Sequence, residues 1–187
     1  MAEPAYREAT YDDILALPRE VTGQILFGVL HTSPRPAPKH AQAATTLGEE
    51  LGPPFKRGRG GPGGWIILDE PEVHLKRHIV VPDLAGWRRE TMPEMPVDKA
   101  YFVLAPDWVC EVLSPSTSAI DRGDKLKIYA SEKVSHVWFV DPEAQTLEVL
   151  TLDGASYRVT DVYAASAKVR AVPFDAIELD LALLWLR

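Results

Sequence analysis

The chain has 187 residues, 46% of them hydrophobic and 25% charged, with a formal net charge of −7. That size predicts one domain over residues 1–187 with its own core, and the acidic balance excludes a protein that coats nucleic acid with bulk positive charge. No apolar run approaches the ~18 residues of a membrane helix, the N-terminus has no apolar signal-type core, and the single Cys110 excludes an internal disulfide, so a cytoplasmic protein without a membrane partner is expected.

In chain order, residues 11–17 read as a short helix, capped by Asp12 or Asp13 and ended by Pro18. Residues 24–31, QILFGVLH, read as one strand, with Glu20-Val21 opening a hairpin at Thr22-Gly23. A Pro-rich turn leads to residues 39–51, an Ala-rich helix with Ala43, Leu47 and Leu51 on one face. Gly52-Pro53-Pro54 should stop it. Residues 55–64 form a basic, Gly-rich loop without the G-x-x-x-x-G-K-[ST] order of a phosphate loop, which excludes a nucleotide triphosphate site of that kind.

Residues 65–68 and 72–75 read as one strand continued or restarted, and residues 77–84 as the next. An excursion with prolines at 93, 96 and 106 follows, with a helical turn expected at 98–104. Then come a strand at 108–113, a helix at 118–132 and a strand at 135–140. Only this last step has the form of a crossover between parallel strands. Residues 146–152 and 157–162 read as a hairpin turning at Asp153-Gly154, and residues 172–187 should close the core. The fold class is mixed α+β (α/β in the broad sense), with a central sheet.

Chemistry concentrates in residues 105–129, APDWVCEVLSPSTSAIDRGDKLKIY. Glu111 stands inside a run suited to a buried strand, where a carboxylate is costly unless something pairs with it. A metal ion and a structural hydrogen-bond network both answer that need. A second acid, Asp83, ends the apolar run 79–84 and favours the metal, because two strands each delivering one carboxylate can form a two-acid site. Asp121, Lys125 and Tyr129 share one helix face by i, i+4 spacing, with a packed surface ion pair as the alternative. Lys127 lies about 200° around the helix from Lys125 and cannot face the same point.

Charge is uneven. Residues 53–90 carry 7 basic and 5 acidic side chains, against 4 and 7 before them and 9 and 15 after. Help for a phosphate-bearing substrate is therefore expected around Asp83, with Arg57, Arg59 and Arg88 as substrate-binding candidates and a solvated basic loop as the alternative. Glu72 is a further candidate acid, with Asp69 and Glu70 competing. Ser114 and Thr117 read as helix caps, and His40, near a helix start, as a structural or capping residue.

The succession P-D, then the Glu111 strand, S-P-S-T, D-x-x-x-K-x-x-x-Y and H-V-W-F-V-D-P resembles the Uma-two family of restriction endonucleases, within the PD-(D/E)XK nuclease superfamily. The resemblance runs from the His40 helix to the final Leu-Trp. It implies a restriction-endonuclease-like core and metal-dependent hydrolysis of DNA phosphodiester bonds. Asp83 matches the first acid and Glu111 the second. Leu113 stands where the superfamily pattern has lysine, and Lys125 on the next helix matches the family's displaced basic residue. The implied cofactor is Mg²⁺ or Mn²⁺ on Asp83, Glu111 and the Val112 carbonyl, with Lys125 orienting the attacking water. DNA is the expected partner and a second copy of the chain a candidate one. The alternative is a catalytically silent protein that keeps the nuclease fold as a binding or assembly module.

Overall fold

The computed structural model describes residues 7–185. Residues 1–6 of the N-terminal reading, and 186–187 of the expected closing segment, lie outside them. Helix α1 (Tyr11–Leu15) starts at Thr10, whose backbone amide and hydroxyl both donate to Asp13, so Thr10 rather than an aspartate is the cap residue. Strands β1 (Thr22–Leu26) and β2 (Val29–Ser33) replace the single strand expected at 24–31. The turn between them puts Phe27 and Gly28 at φ 50° and 80°. This is the two-residue hairpin geometry that Gly28 supplies readily and Phe27 adopts against its preference.

Helix α2 (Pro38–Leu51) does not stop at Gly52. Pro53 and Pro54 have no N–H to donate, and the chain widens into a π-helical turn, Gly52–Lys56, closed by Arg57 N–H on Gly52 O at 3.1 Å. Strands β3 (Trp65–Asp69), β4 (Val73–Leu75), β5 (His78–Val80) and β6 (Leu84–Arg88) follow. The one strand expected at 77–84 is thus two short strands in different sheets. Pro82, without an amide hydrogen, breaks the ladder between them.

No helical turn forms at 98–104. Phe102 instead bridges to β4, with His74 N–H donating to Phe102 O at 2.7 Å and Phe102 N–H to Glu72 O at 2.9 Å, while its ring packs on Trp87. Strand β7 (Trp108–Val112) is followed by an interrupted helix: α3 (Ser118–Ile120), a π turn (Asp121–Lys125) and α4 (Leu126–Ser131). Strands β8 (His136–Asp141), β9 (Thr146–Asp153), β10 (Ser156–Ala164), β11 (Lys168–Val169) and β12 (Leu179–Asp180) follow, and then a 3-10 turn, Leu181–Leu184.

The main sheet has the order β10-β9-β8-β7-β6-β3 and is mixed: β7 and β8 are parallel and the other pairs antiparallel. A smaller sheet runs β2-β1-β5-β4. Alternation along the strands gives the main sheet two buried faces. On one, α2 places Ala43, Leu47 and Leu51 against Trp108, Trp138 and Phe174, so the C-terminal segment helps close that core. On the other, Ile128 and Tyr129 of α4 meet Val109, Val137 and Phe139. Glu111 alternates with Val109 and therefore points to the α4 face. Among the described residues no helix is long and apolar enough to cross a membrane.

Candidate functional site

Asp83 occupies the joint between the two sheets, one residue before β6. Leu84 pairs with Cys110, so Asp83 stands opposite the end of β7. There the Val112 amide has no strand partner on that side, and it donates to Asp83 Oδ2 at 2.7 Å. The other oxygen, Oδ1, faces His40 Nε2 on α2 at 3.2 Å. The Pro82 break thus both ends one ladder and frees an aspartate to hold the end of the next.

Glu111 is 1% exposed. Its Oε1 accepts the Tyr129 hydroxyl at 2.5 Å and its Oε2 meets the Lys125 ammonium at 2.7 Å. Lys125 also contacts Asp121 Oδ1 at 3.1 Å. Asp121 and Lys125 are themselves buried, at 4% and 2% exposure. The π turn that carries both gives this stretch a wider helical winding than the straight α-helix expected. Lys127 points away, to solvent, and pairs with Asp124 at 3.0 Å.

Electrostatics follow from burial. Removal from water pushes the Glu111 carboxyl up to about 8, and Asp121 and Asp83 add to this against the pull of Lys125. Burial works to lower the Lys125 pKa, but Glu111, Asp121 and Asp83 outweigh it and the ammonium is held above the ordinary lysine value. Burial also lifts the Tyr129 hydroxyl well above the ordinary tyrosine value, with Glu111 adding to it, so it remains a donor. For His40, burial opposes protonation while the hydrogen bond and charge of Asp83 favour it, and the net shift is upward.

Asp83, Glu111, Asp121 and Lys125 line one cavity of about 320 Å³, together with Ser114 to Thr117. Two titratable residues that the sequence did not favour for the site, His40 and Glu70, also line this cavity. His40, read there as structural, lies one turn before Ala43 on the buried α2 face, a periodicity that could have placed it. The Glu70 amide donates to the Asp83 carbonyl at 3.0 Å and its φ is 42°. The β3–β6 pairing, with Asp69 opposite Leu84, puts Glu70 opposite Asp83.

Other candidates fall elsewhere. Glu72 is not brought to Asp83: it accepts from His74 at 2.7 Å, because β4 belongs to the smaller sheet. Arg88 ends β6, some five residues or about 17 Å of strand from Asp83, and its guanidinium lies over Trp65. Arg59 is exposed on the glycine loop. Arg57 lines a second cavity that reaches Asp83. Ser114 Oγ contacts the Ser116 and Thr117 hydroxyls.

Among the described residues no group of three or more His, Cys, Asp or Glu side chains stands in a metal-holding arrangement. The donor set nonetheless suits a hard cation. Asp83 and Glu111 present carboxylate oxygens at adjacent strand ends, each oxygen has a second lone pair beyond the contact it makes, and Mg²⁺ commonly takes one or two carboxylates with water completing its shell.

Residues 10–183 match the profile of the Uma2 family, described as "Putative restriction endonuclease". No curated protein matches the chain. Among solved structures, that of "a putative nuclease belonging to DUF820" from Anabaena variabilis ATCC 29413 is similar in fold, with a TM-score of 0.75 and 24% sequence identity over 94% of this chain and 97% of that one.

Proposed function

The chain belongs to the Uma2 family, and we propose that it is a nuclease that hydrolyses DNA phosphodiester bonds at the Asp83–Glu111–Lys125 site. The observation that carries this is the buried Lys125 ammonium, 2.7 Å from Glu111 and lining the same cavity as Asp83. A lysine sequestered with carboxylates at a cavity wall is poised for charge that develops on a substrate, and it is not a solubilising surface lysine.

Asp83, Glu111 and the Val112 carbonyl would hold Mg²⁺ or Mn²⁺. Such an ion, when bound, supplies polarisation of the phosphoryl oxygen and a water acidified toward neutral pH. The protein's own groups do the rest. Tyr129 and Lys125 fix the Glu111 carboxylate by one contact on each oxygen. Asp121 holds Lys125 from the other side, so the ammonium has one position when substrate arrives. Lys125 then orients the attacking water or neutralises the phosphate. His40 and the Val112 amide fix Asp83 in the same way. Arg57 is the candidate contact to the DNA backbone.

A second reading, a silent nuclease fold, is favoured by one observation: both Glu111 oxygens already have partners and its carboxyl is pushed up to about 8. Calorimetric titration with Mn²⁺, paired with cleavage of supercoiled DNA, separates the two. The nuclease reading expects binding and nicking that are both lost in Asp83→Asn and Glu111→Gln. A protein that binds no Mn²⁺ and cuts nothing at pH 8 is the silent one.

A further inference from the structure

A second cavity, of about 660 Å³, opens beside the acid site between α2, the π turn Gly52–Lys56 and β3. His40, Glu70 and Asp83 line both cavities, so the two adjoin at Asp83. The larger one also takes in Lys56 and Arg57. One stretch of its wall is apolar and low: Ala44 and Gly48 on α2, with Ile67 and Leu84 of the sheet.

We propose that this cavity is a subsite for one nucleotide of the cleaved DNA strand, its base unpaired and laid on the apolar wall and its outer phosphate on Lys56 and Arg57. The inference rests on the nuclease reading of the adjoining acids and names the form of substrate they act on.

Three features carry it. The volume falls in the range of small-ligand pockets, enough for one nucleotide and not for a stack of base pairs. Lys56 is already oriented, its Nζ donating to the Ile67 carbonyl at 3.1 Å, which leaves its other N–H groups for a phosphate. The charge is mixed: Glu49, Asp69 and Glu70 also line the cavity. A polyanion lying along its length would meet those carboxylates. A ligand with a neutral flat centre and a phosphate at one end avoids them, and a nucleotide has that shape. Sites that take a base out of the stack hold it against aromatic or apolar side chains, and this wall offers the apolar kind.

Gly48 gives the test. A Cβ built there meets only Leu84 Cδ2, at 3.7 Å, an ordinary contact, and Gly48 lines the cavity, so Gly48→Leu directs a side chain toward it, and leucine suits a helix better than glycine. Binding of a short 5′-fluorescein-labelled single-stranded DNA, and of the blunt duplex of the same sequence, is read by fluorescence anisotropy without divalent metal. Mn²⁺ affinity of each protein is read separately by calorimetry. Wild type is expected to bind the single strand more tightly than the duplex. Gly48→Leu should weaken single-strand binding about tenfold, the order expected when the apolar burial of one base face is lost, with Mn²⁺ affinity unchanged. Lys56→Ala should weaken it less and lower the salt slope by about one phosphate contact. Should Gly48→Leu fail to give a native circular dichroism spectrum, Ala44→Met narrows the same wall and is judged by the same binding. Unchanged single-strand affinity in the filled variant, or equal affinity of wild type for duplex, overturns the subsite even in a protein that cuts DNA. Loss of single-strand binding in Gly48→Leu with no Mn²⁺ bound by wild type supports the nucleotide site and removes the nuclease reading.

Discussion

Replacing Lys125 with alanine removes the ammonium that lies 2.7 Å from Glu111 and 3.1 Å from Asp121, all three side chains being buried. At an effective dielectric of about 20, those contacts are worth roughly 6 and 5 kcal/mol of attraction. Dehydrating the ammonium costs several kcal/mol of that. The truncation leaves two buried carboxylates without their cation, and a loss of about 3–5 kcal/mol is expected, a large share of the ~5–15 kcal/mol that holds a domain. Urea unfolding followed by tryptophan fluorescence, with unchanged m-value, measures it. The loss should be smaller at pH 5 than at pH 8. Glu111 is already pushed up to about 8, and without Lys125 it rises further, so at low pH it is neutral and needs no cation. The paired change Glu111→Gln with Lys125→Met should recover the Glu111 share of the loss and leave the Asp121 share. Lys127→Ala, at an exposed pair, should cost under ~0.5 kcal/mol. If Lys125→Ala stays within about 0.5 kcal/mol of wild type, the ammonium is not inside the carboxylate cluster and the site as described is wrong.

Mn²⁺ affinity should rise with pH toward 8, by up to tenfold per unit below it, because the ion must displace the Glu111 proton; calorimetry at constant ionic strength checks this, and a flat profile would exclude Glu111 as a ligand. In the metal-free protein the sign is opposite: the raised Glu111 pKa favours the fold fully below the unfolded value of ~4.3, and that contribution is lost as pH rises through about 8, which urea unfolding across that window would read. Tyr129→Phe removes the donor to Glu111 Oε1 and, read above pH 8 where Glu111 is ionised, should cost about 1.5–3 kcal/mol, the worth of a hydrogen bond to a charged group, with a cost near zero assigning Glu111 another donor. Phe174→Ala should cost about 3–5 kcal/mol, since its ring contacts Phe55, Trp65, Trp108 and Trp138; thermal or urea unfolding tests whether the C-terminal segment belongs to the core.

The order of the main elements is legible because their apolar patterns are strong. Residues 108–112, 136–141 and 146–153 carry continuous or alternating apolar residues, and the helix between the first two requires a crossover, which appears as the parallel β7–β8 pair. What is illegible has local causes. Phe27 at positive φ hides a hairpin, since phenylalanine gives no turn signal. Val81-Pro82-Asp83 looks like the end of a strand, yet proline splits it between two sheets. The excursion before Pro106 has the spacing of a helical turn, but pairing of Phe102 with β4 takes its backbone groups instead.

The same division runs through the site. Asp83, Glu111 and Lys125 announce themselves because each breaks a local rule: a Pro-Asp step after an apolar run, an acid in a buried strand, a lysine on a helix face shared with Asp121 and Tyr129. Glu70 and His40 break none. An acid after a strand and a histidine in the first turn of a helix are ordinary in sequence, and only the pairing of β3 with β6 and the packing of α2 bring them to Asp83. Glu72 fails for the matching reason. It is two residues from Glu70, but β4 turns into the other sheet, and the carboxylate goes with it to His74. Lys125 is also more deeply placed than a long side chain reaching in from a rim: its head, not only its stem, is inside. A lysine in that position cannot be exchanged for a surface one without unbalancing Glu111 and Asp121. Its place on the helix is therefore tied to the two carboxylates it neutralises.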